Sequence, residues 1–392
     1  MQSSLRRSAS RVLLRKMSLN VCISANSLQY PQHGGQMWVY LNWCLGLKEL
    51  NCQVSWLDEF APNSSSPAAE QLSSLRRRLE PYGLAAQIAV WTNGEPPRAE
   101  FFGKGLGIDA VADADLLINL HYGTPAAVVR RFRRSALIDI DPGLLQTWVA
   151  GGEMLIPPHT HYFTTGETVG RPGAKFPDLG LKWDYVPPPV CLQWWPVVRA
   201  APPAPFTTIS HWASKDWLKE GDGLYYSNEK RAGFQPFLDL PRHTSQTLEL
   251  ALWLREEEDA QERAMLEERG WRVRESRSVS STPWDYQHYI QGSLGEFSCV
   301  KPSCVRFQNA WISDRTLCYL ASGKPAVMQH TGPSRMLPDA AGLFRFEDLR
   351  EATYCLETAA ADYDRHCRLA RQLAEQYFDA KKVVRSVLER TL

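Results

Sequence analysis

Hydrophobic and polar positions along this chain follow two alternating rhythms. Asn20-Val-Cys-Ile-Ser-Ala25 is a short apolar run bounded by polar residues, which predicts a buried strand. After a loop over 26–36, apolar residues recur at Trp38, Leu41, Leu45, Leu47 and Leu50, the spacing of a helix face. Val54-Ser-Trp-Leu57 then predicts the next strand. A strand, a glycine-containing loop, a helix and a second strand in that order require a right-handed parallel crossover. Further strands are predicted at Ile88–Trp91, Leu116–Leu120, Ser135–Ile140 and Tyr162–Thr165.

Seven prolines between Val186 and Pro205 interrupt the rhythm and predict a stiff, extended connector. Trp194 and Trp195 within it are expected to pack where two domains meet. After the connector the pattern restarts, with strands predicted at Phe206–Ser210, Leu248–Trp253, Trp271–Arg274, Pro325–Met328 and Leu343–Phe346. A charged helix is predicted over 259–269, and a helical turn over 317–322 that Gly323 stops. The tail from 349 to 388 reads as mostly helical. The expected division is a basic extension over 1–17, a first Rossmann-like domain over 18–185, the linker over 186–205, a second Rossmann-like domain over 206–360, and a helical segment over 361–392. Doubly wound parallel sheets bind ligands beyond the C-terminal ends of their strands, which puts the 33–36 loop, His121 and Asp141 on one rim.

Composition narrows the function classes. Lys and Arg total 44 against 43 Asp and Glu, a formal net charge of +1. That lacks the basic surplus needed to displace counterions from a phosphate backbone, so no nucleic-acid partner is expected. An apolar content of 44% is that of a globular chain, and no stretch approaches the ~20 apolar residues of a transmembrane segment. Nine cysteines, an odd number without zinc-type pairing, predict reduced thiols and a cytoplasmic location. His159 and His161 alternate but lack a third ligand, so no metal and no cofactor are expected. Residues 1–19 carry Arg6, Arg7, Arg11, Arg15 and Lys16 and no acid. That suits a transit peptide or a basic tail; the preferred expectation is a true start at Met17, because a strand follows at once.

The chemistry concentrates between Tyr289 and Gly332. There a helix, the Ser322-Gly323-Lys324-Pro325 turn and an apolar strand follow one another. This arrangement resembles the donor-binding segment of GT-B glycosyltransferases, and the 289–332 segment is similar to a bacterial glycosyltransferase-like family. The resemblance implies two Rossmann-like domains facing across a cleft, with a C-terminal helix crossing back onto the first. It also implies a nucleotide-diphosphate-sugar donor on the second domain and an unidentified acceptor on the first. A diphosphate needs cations and backbone donors, for which Lys301, Arg315 and the amides near Gly292 and Gly295 are candidates. Glu296 or Asp314 would hold the ribose hydroxyls, and Ser313 would cap the following helix. His33, Gly34, Gly35 and Gln36 form the expected acceptor or phosphate loop. His121 is the first-ranked catalytic base because it ends a strand, ahead of His33 and Asp141. Cys318 stands where retaining members of the superfamily carry a glutamate, and Ala310 where its upstream partner would be. Stereochemistry is therefore open. A nucleotide-sugar epimerase and a non-catalytic nucleotide- or carbohydrate-binding protein are the alternative readings.

Overall fold

The computed structural model describes residues 18–60, 68–92, 106–200, 203–214, 216–219, 223–255, 259–338 and 341–392. The extension expected over 1–17 lies outside them. The first half builds one parallel sheet from β1 (Asn20–Ala25), β2 (Gln53–Glu59), β3 (Ile88–Trp91), β4 (Leu106–Gly107), β5 (Leu116–Asn119), β6 (Ser135–Asp139), β7 (His161–Thr164) and β8 (Trp183–Tyr185). Their order is β4-β3-β2-β1-β5-β6-β7-β8. The central register pairs Val21 with both Val54 and Leu116. Its helices include α1 (Gly34–Glu49), α2 (Ala68–Leu79) and α3 (Leu144–Ala150).

The second half contains β9 (Phe206–His211), a hairpin of β10 (Trp217–Lys219) and β11 (Tyr225–Ser227), then β12 (Leu248–Trp253), β13 (Arg272–Glu275), β14 (Gly295–Ser298), β15 (Ala326–Gln329) and β16 (Leu343–Phe346). Its six-stranded parallel sheet has the order β13-β12-β9-β14-β15-β16. The helices used below are α4 (Lys230–Phe234), α5 (Ala260–Glu268), α6 (Pro283–Gly292), α7 (Pro302–Phe307), α8 (Asp314–Ala321), α9 (Leu349–Ala361), α10 (Tyr363–Leu373) and α11 (Ala380–Thr391). Strand order reverses between β1 and β5 in one sheet and between β9 and β14 in the other. Those reversals are the crevices where doubly wound sheets take ligands.

Strand β14 was not anticipated, because a glycine and a glutamate break its apolar run. Gly295 is required there: a Cβ would lie 2.5 Å from the Pro325 carbonyl and from the Phe206 ring. The amides near it, considered as phosphate donors, are committed to the sheet, with Glu296 N donating to Pro325 O at 3.0 Å.

One apolar core runs through both halves, joining α1 residues such as Trp38 and Leu41 to Trp195, Tyr286, Tyr319 and Val384. Helix α1 is therefore buried on nearly all sides, which explains why its sequence lacks a polar face. Trp195 packs against Trp38 with centroids 4.7 Å apart and ring planes tilted by 58°, and Trp38 Nε1 donates to Pro283 O at 2.7 Å. The proline-rich connector thus presses its tryptophans into the junction. At the C-terminus, Val190 N donates to Phe378 O at 2.8 Å and Ala380 N to Val190 O at 3.0 Å. Arg390 donates to Tyr185 O at 3.0 Å, and Gly46 gives α11 the close approach that Ala380 requires. Helix α11 thus lies on α1, and so on the first half of the chain. Among the described residues, no helix is long and apolar enough to cross a membrane.

Candidate functional site

Both sheets direct the C-terminal ends of their strands toward a shared cleft. From the smaller sheet, β14 ends in Ser298 and runs through Cys299 and Val300 to Lys301. Lys301 Nζ reaches Asp216 Oδ2 at 2.7 Å, and Asn228 Nδ2 donates to the same oxygen at 3.1 Å. Asn228 in turn accepts from Ser303 N at 3.0 Å. Helix α4 docks directly beneath, since a Cβ on Gly233 would sit 1.9 Å from Val300 O. This close approach brings Lys230 Nζ to 2.7 Å from Cys299 O.

Among the described residues Lys230 forms no ion pair, and its Nζ donates to a backbone carbonyl in place of a carboxylate. Desolvation first, then Arg315 and Lys301, hold its amine down at about 7. Sequence reasoning missed it. The available signal was a lysine in the first position of a helix, where the dipole disfavours positive charge.

The donor candidates divide. Ser313 caps α8 by accepting from Arg315 N at 3.3 Å. Asp314, in the first turn, has a carboxyl pushed up to about 7 by desolvation, with a further upward push from Asp141 of the larger sheet. Glu296 departs from expectation. It is fully buried in β14, and its Oε1 accepts from Arg315 Nε at 2.8 Å. Arg315 also donates to Ile209 O at 2.9 Å. The other oxygen of Glu296, Oε2, is buried without a hydrogen-bond partner, so Glu296 offers no exposed carboxylate to a ribose. Cys318 lies beside them, its thiol pushed well up by burial and by Asp314 and Glu296.

On the opposite wall, Asp141 follows β6. Tyr122 Oη donates to its Oδ2 at 3.2 Å, and its carboxyl is raised chiefly by burial, against the pull of Lys301 across the cleft. Asn309 Nδ2 donates to Pro142 O at 2.6 Å, which fixes the turn carrying Asp141 against the second half. Asp141, Lys301, Asp216 and Asp314 thus share one electrostatic environment.

His121 is elsewhere. It follows β5 at the larger sheet's reversal, stacks on Trp91 at 5.9 Å, and places Nε2 3.7 Å from Glu59. Burial lowers its pKa to about 4. His33 is the histidine that meets the second half: its ring lies 5.3 Å from His211 and 5.2 Å from Trp253. Arg277 covers Trp253 at 4.7 Å. Burial, then His211 and Arg78, lower His33 to about 4.

Gly34 and Gly35 are filled by protein. A Cβ on Gly34 would lie 2.1 Å from Thr282 O, and one on Gly35 2.6 Å from the Tyr286 ring. The glycine pair lets α1 abut α6. Gln36 turns back to donate to Tyr40 Oη at 3.2 Å. His159 is hydrogen-bonded to Pro157 O and to Asn119, and among the described residues no group of three His, Cys, Asp or Glu could hold a metal ion.

No protein-family model matches the chain, and no curated protein matches it significantly. Solved structures do. Anabaena HepE, in a complex with UDP and glucose, superposes with a TM-score of 0.55 at 11% identity, covering 95% of this chain and 99% of its own. Sucrose-phosphate synthase from Thermosynechococcus elongatus gives 0.53 at 10% identity, covering 94% and 97%. An alpha-glucosyltransferase bound to UDP and a 13-mer DNA gives 0.59 at 11% identity, covering 96% and 100%. Two parallel sheets in these strand orders, facing across one cleft and superposing over nearly the full length of such structures, mean that this chain has the GT-B fold.

Proposed function

We propose that the protein is a glycosyltransferase that moves a hexosyl group from a nucleotide-diphosphate-sugar to an acceptor held by the first half. The observation that carries this reading is Lys230. A partly desolvated amine with no carboxylate partner, flanked by Arg315 and Lys301, has an unmet need for negative charge at the smaller sheet's reversal point. A diphosphate meets it, and in that position stabilises the charge that develops on the leaving group. The UDP and UDP-glucose complexes of proteins sharing the fold support the same ligand class.

Lys301 would join Lys230 after exchanging Asp216 for phosphate oxygen. Asp314, at the start of α8, is the remaining candidate for the ribose hydroxyls. Asp141 is the carboxylate best disposed to receive the acceptor's proton, because it faces these groups from the other half. Its desolvation raises proton affinity, as a general base requires. His121, packed on Trp91 beside Glu59, would then help hold the strand ends of the first sheet. No metal or cofactor enters this scheme.

The test is a thermal-shift and transfer assay with UDP, other nucleoside diphosphates and their glucose conjugates. A ligand at 100 times its Kd adds about 2.7 kcal/mol of stability. Stabilisation by a diphosphate and its sugar conjugate, lost in Lys230→Met, supports the reading. No stabilisation by any of them removes it in favour of a protein that binds another ligand.

A further inference from the structure

Tyr122 follows β5 and reaches over the end of the neighbouring strand β6 to the turn that carries Asp141. Its ring packs on a small apolar cluster that includes Leu137 and Leu145. Its hydroxyl oxygen accepts from two successive backbone amides, Ile140 N at 2.8 Å and Asp141 N at 3.0 Å. A phenol has two lone pairs and one proton, so both lone pairs are taken and the proton is left to donate. Two carboxylates lie within its reach, Asp141 Oδ2 at 3.2 Å and Asp139 Oδ1 at 3.4 Å.

Asp139 is fully buried and already supplied. Its Oδ2 accepts from Gln146 Nε2 and Thr164 Oγ1, each at 2.8 Å, and its Oδ1 from Asp141 N at 3.1 Å. The Asp141 carboxylate has less. Among the described residues its only hydrogen-bond donor is Tyr122, at Oδ2, and none engages Oδ1. The shorter and less contested contact therefore directs the phenol's proton to Asp141. Burial, then Asp141 and Asp139, hold the phenol well above its ordinary pKa, so the hydroxyl keeps its proton and stays a donor. With its lone pairs occupied it is no relay between the two carboxylates. It fixes and polarises one of them.

We propose that Tyr122 is the positioning residue of the transfer reaction: it gives its single proton to Oδ2 of Asp141 and leaves Oδ1 as the atom that receives the acceptor's proton. The hydrogen-bond assignment stands on the geometry, while its part in turnover rests on the glycosyltransferase reading above. In the step itself the acceptor's O–H bond breaks as its oxygen bonds the sugar. The proton passes to Oδ1, and the diphosphate leaves with the electron pair of the bond it held. A donor on Oδ2 holds the base in one orientation and keeps it ionised against desolvation. Lys301 across the cleft acts in the same sense and Asp216 against it. Asp139, Asp314 and Cys304 are the other titrating groups coupled to this carboxylate.

The experiment is a carboxyl-carbon NMR titration of the full chain carrying isotope-labelled aspartate, with the Asp141 signal identified by its loss in Asp141→Asn. Tyr122→Phe keeps the ring and should raise the Asp141 midpoint by about one pH unit, tenfold in proton affinity, through loss of a hydrogen bond to a charged group. A ring-fluorinated tyrosine at position 122 has a more acidic phenol that donates more strongly, and should move the midpoint down. A merely structural role lowers stability in Tyr122→Phe without this pair of opposite shifts. In the transfer assay, Tyr122→Phe should lower kcat by about tenfold or more and move the rising limb of the pH profile up with the midpoint, with UDP affinity unchanged. An Asp141 midpoint unmoved in Tyr122→Phe, or shifts of one sign in both chains, overturns the assignment, and an unchanged kcat overturns the role in turnover. If Tyr122→Phe fails to fold, the fluorinated chain alone decides: a downward shift supports the assignment and no shift overturns it. If the shifts appear and no nucleotide-sugar supports transfer, the contact stands and the glycosyltransferase reading falls separately.

Discussion

Arg315 Nε lies 2.8 Å from Glu296 Oε1, and Glu296 is fully buried beneath the cleft floor. The pair joins the first turn of α8 to the central strand of the smaller sheet. It orients the helix that carries Ser313 and Asp314, so its contribution to any ligand is indirect. Removing one partner of a buried pair leaves an uncompensated charge. Glu296→Ala should therefore cost about 3–5 kcal/mol, and Glu296→Gln clearly less because the amide oxygen still accepts from Arg315. Urea unfolding of both variants checks the ordering. Equal losses would mean that packing, and not charge, dominates at this position.

The seam between the halves predicts a steric result. Gly34 has no room for a methyl group, with Thr282 O 2.1 Å from the Cβ position. Gly34→Ala must push α6 away from α1 or strain both, at about 1–3 kcal/mol, and it should loosen the Trp38–Trp195 contact nearby. Gly292, with nothing within 4 Å of its Cβ position, is the matched control and should tolerate alanine. Thermal melts with tryptophan fluorescence follow both effects.

Lys230 predicts a pH dependence whose sign is set by its lowered pKa. Its amine is protonated below about 7 in the free protein. A bound diphosphate favours the protonated form and raises that pKa. Between about 7 and the higher bound value, binding takes up a proton, so affinity falls as pH rises by up to tenfold per unit. Below about 7 this effect is absent. Calorimetry of UDP binding in two buffers of different ionisation enthalpy at pH 8 should reveal proton uptake, and Lys230→Met should abolish it along with at least tenfold of the affinity.

Much of the architecture was legible because parallel strands buried on both faces read as continuous apolar runs. β1, β5, β6 and β12 are of that kind, and each was anticipated within a residue or two. The elements that escaped are those whose residues serve a partner distant in sequence. β14 carries a glutamate paired to Arg315 and a glycine demanded by Phe206 and Pro325, so its local pattern contradicts its location. β4, β8 and the β10–β11 hairpin are too short to establish a period. Within the candidate site, the loop after β1 was found, but its glycines answer to Thr282 and Tyr286 across the junction, a need no local reading contains. Lys301 and Asp314 were named as donor candidates from the GT-B resemblance and the charges that a diphosphate and a ribose need. Lys230 and Asp216 belong to neither segment, and only folding brings them beside Lys301.

The same distinction separates the two candidates for the base. His121 was preferred because it ends a central strand, and it does. Yet its neighbours Trp91 and Glu59 belong to the first half, and burial leaves it neutral down to about pH 4. Asp141 stands in a turn tied to Asn309 of the second half and is coupled to Lys301 and Asp216. If proton removal from the acceptor contributes to turnover, Asp141→Asn should lower kcat by about 10²–10⁴-fold with little change in UDP affinity. His121→Ala should act mainly through stability and keep kcat within about tenfold of the parent. The pH profile gives the independent check: an ionised Asp141 is needed, so kcat should rise with pH to a plateau, and that rising limb should vanish in Asp141→Asn. A limb that survives in Asp141→Asn but is lost in Asp314→Asn would move the role to the carboxylate facing it.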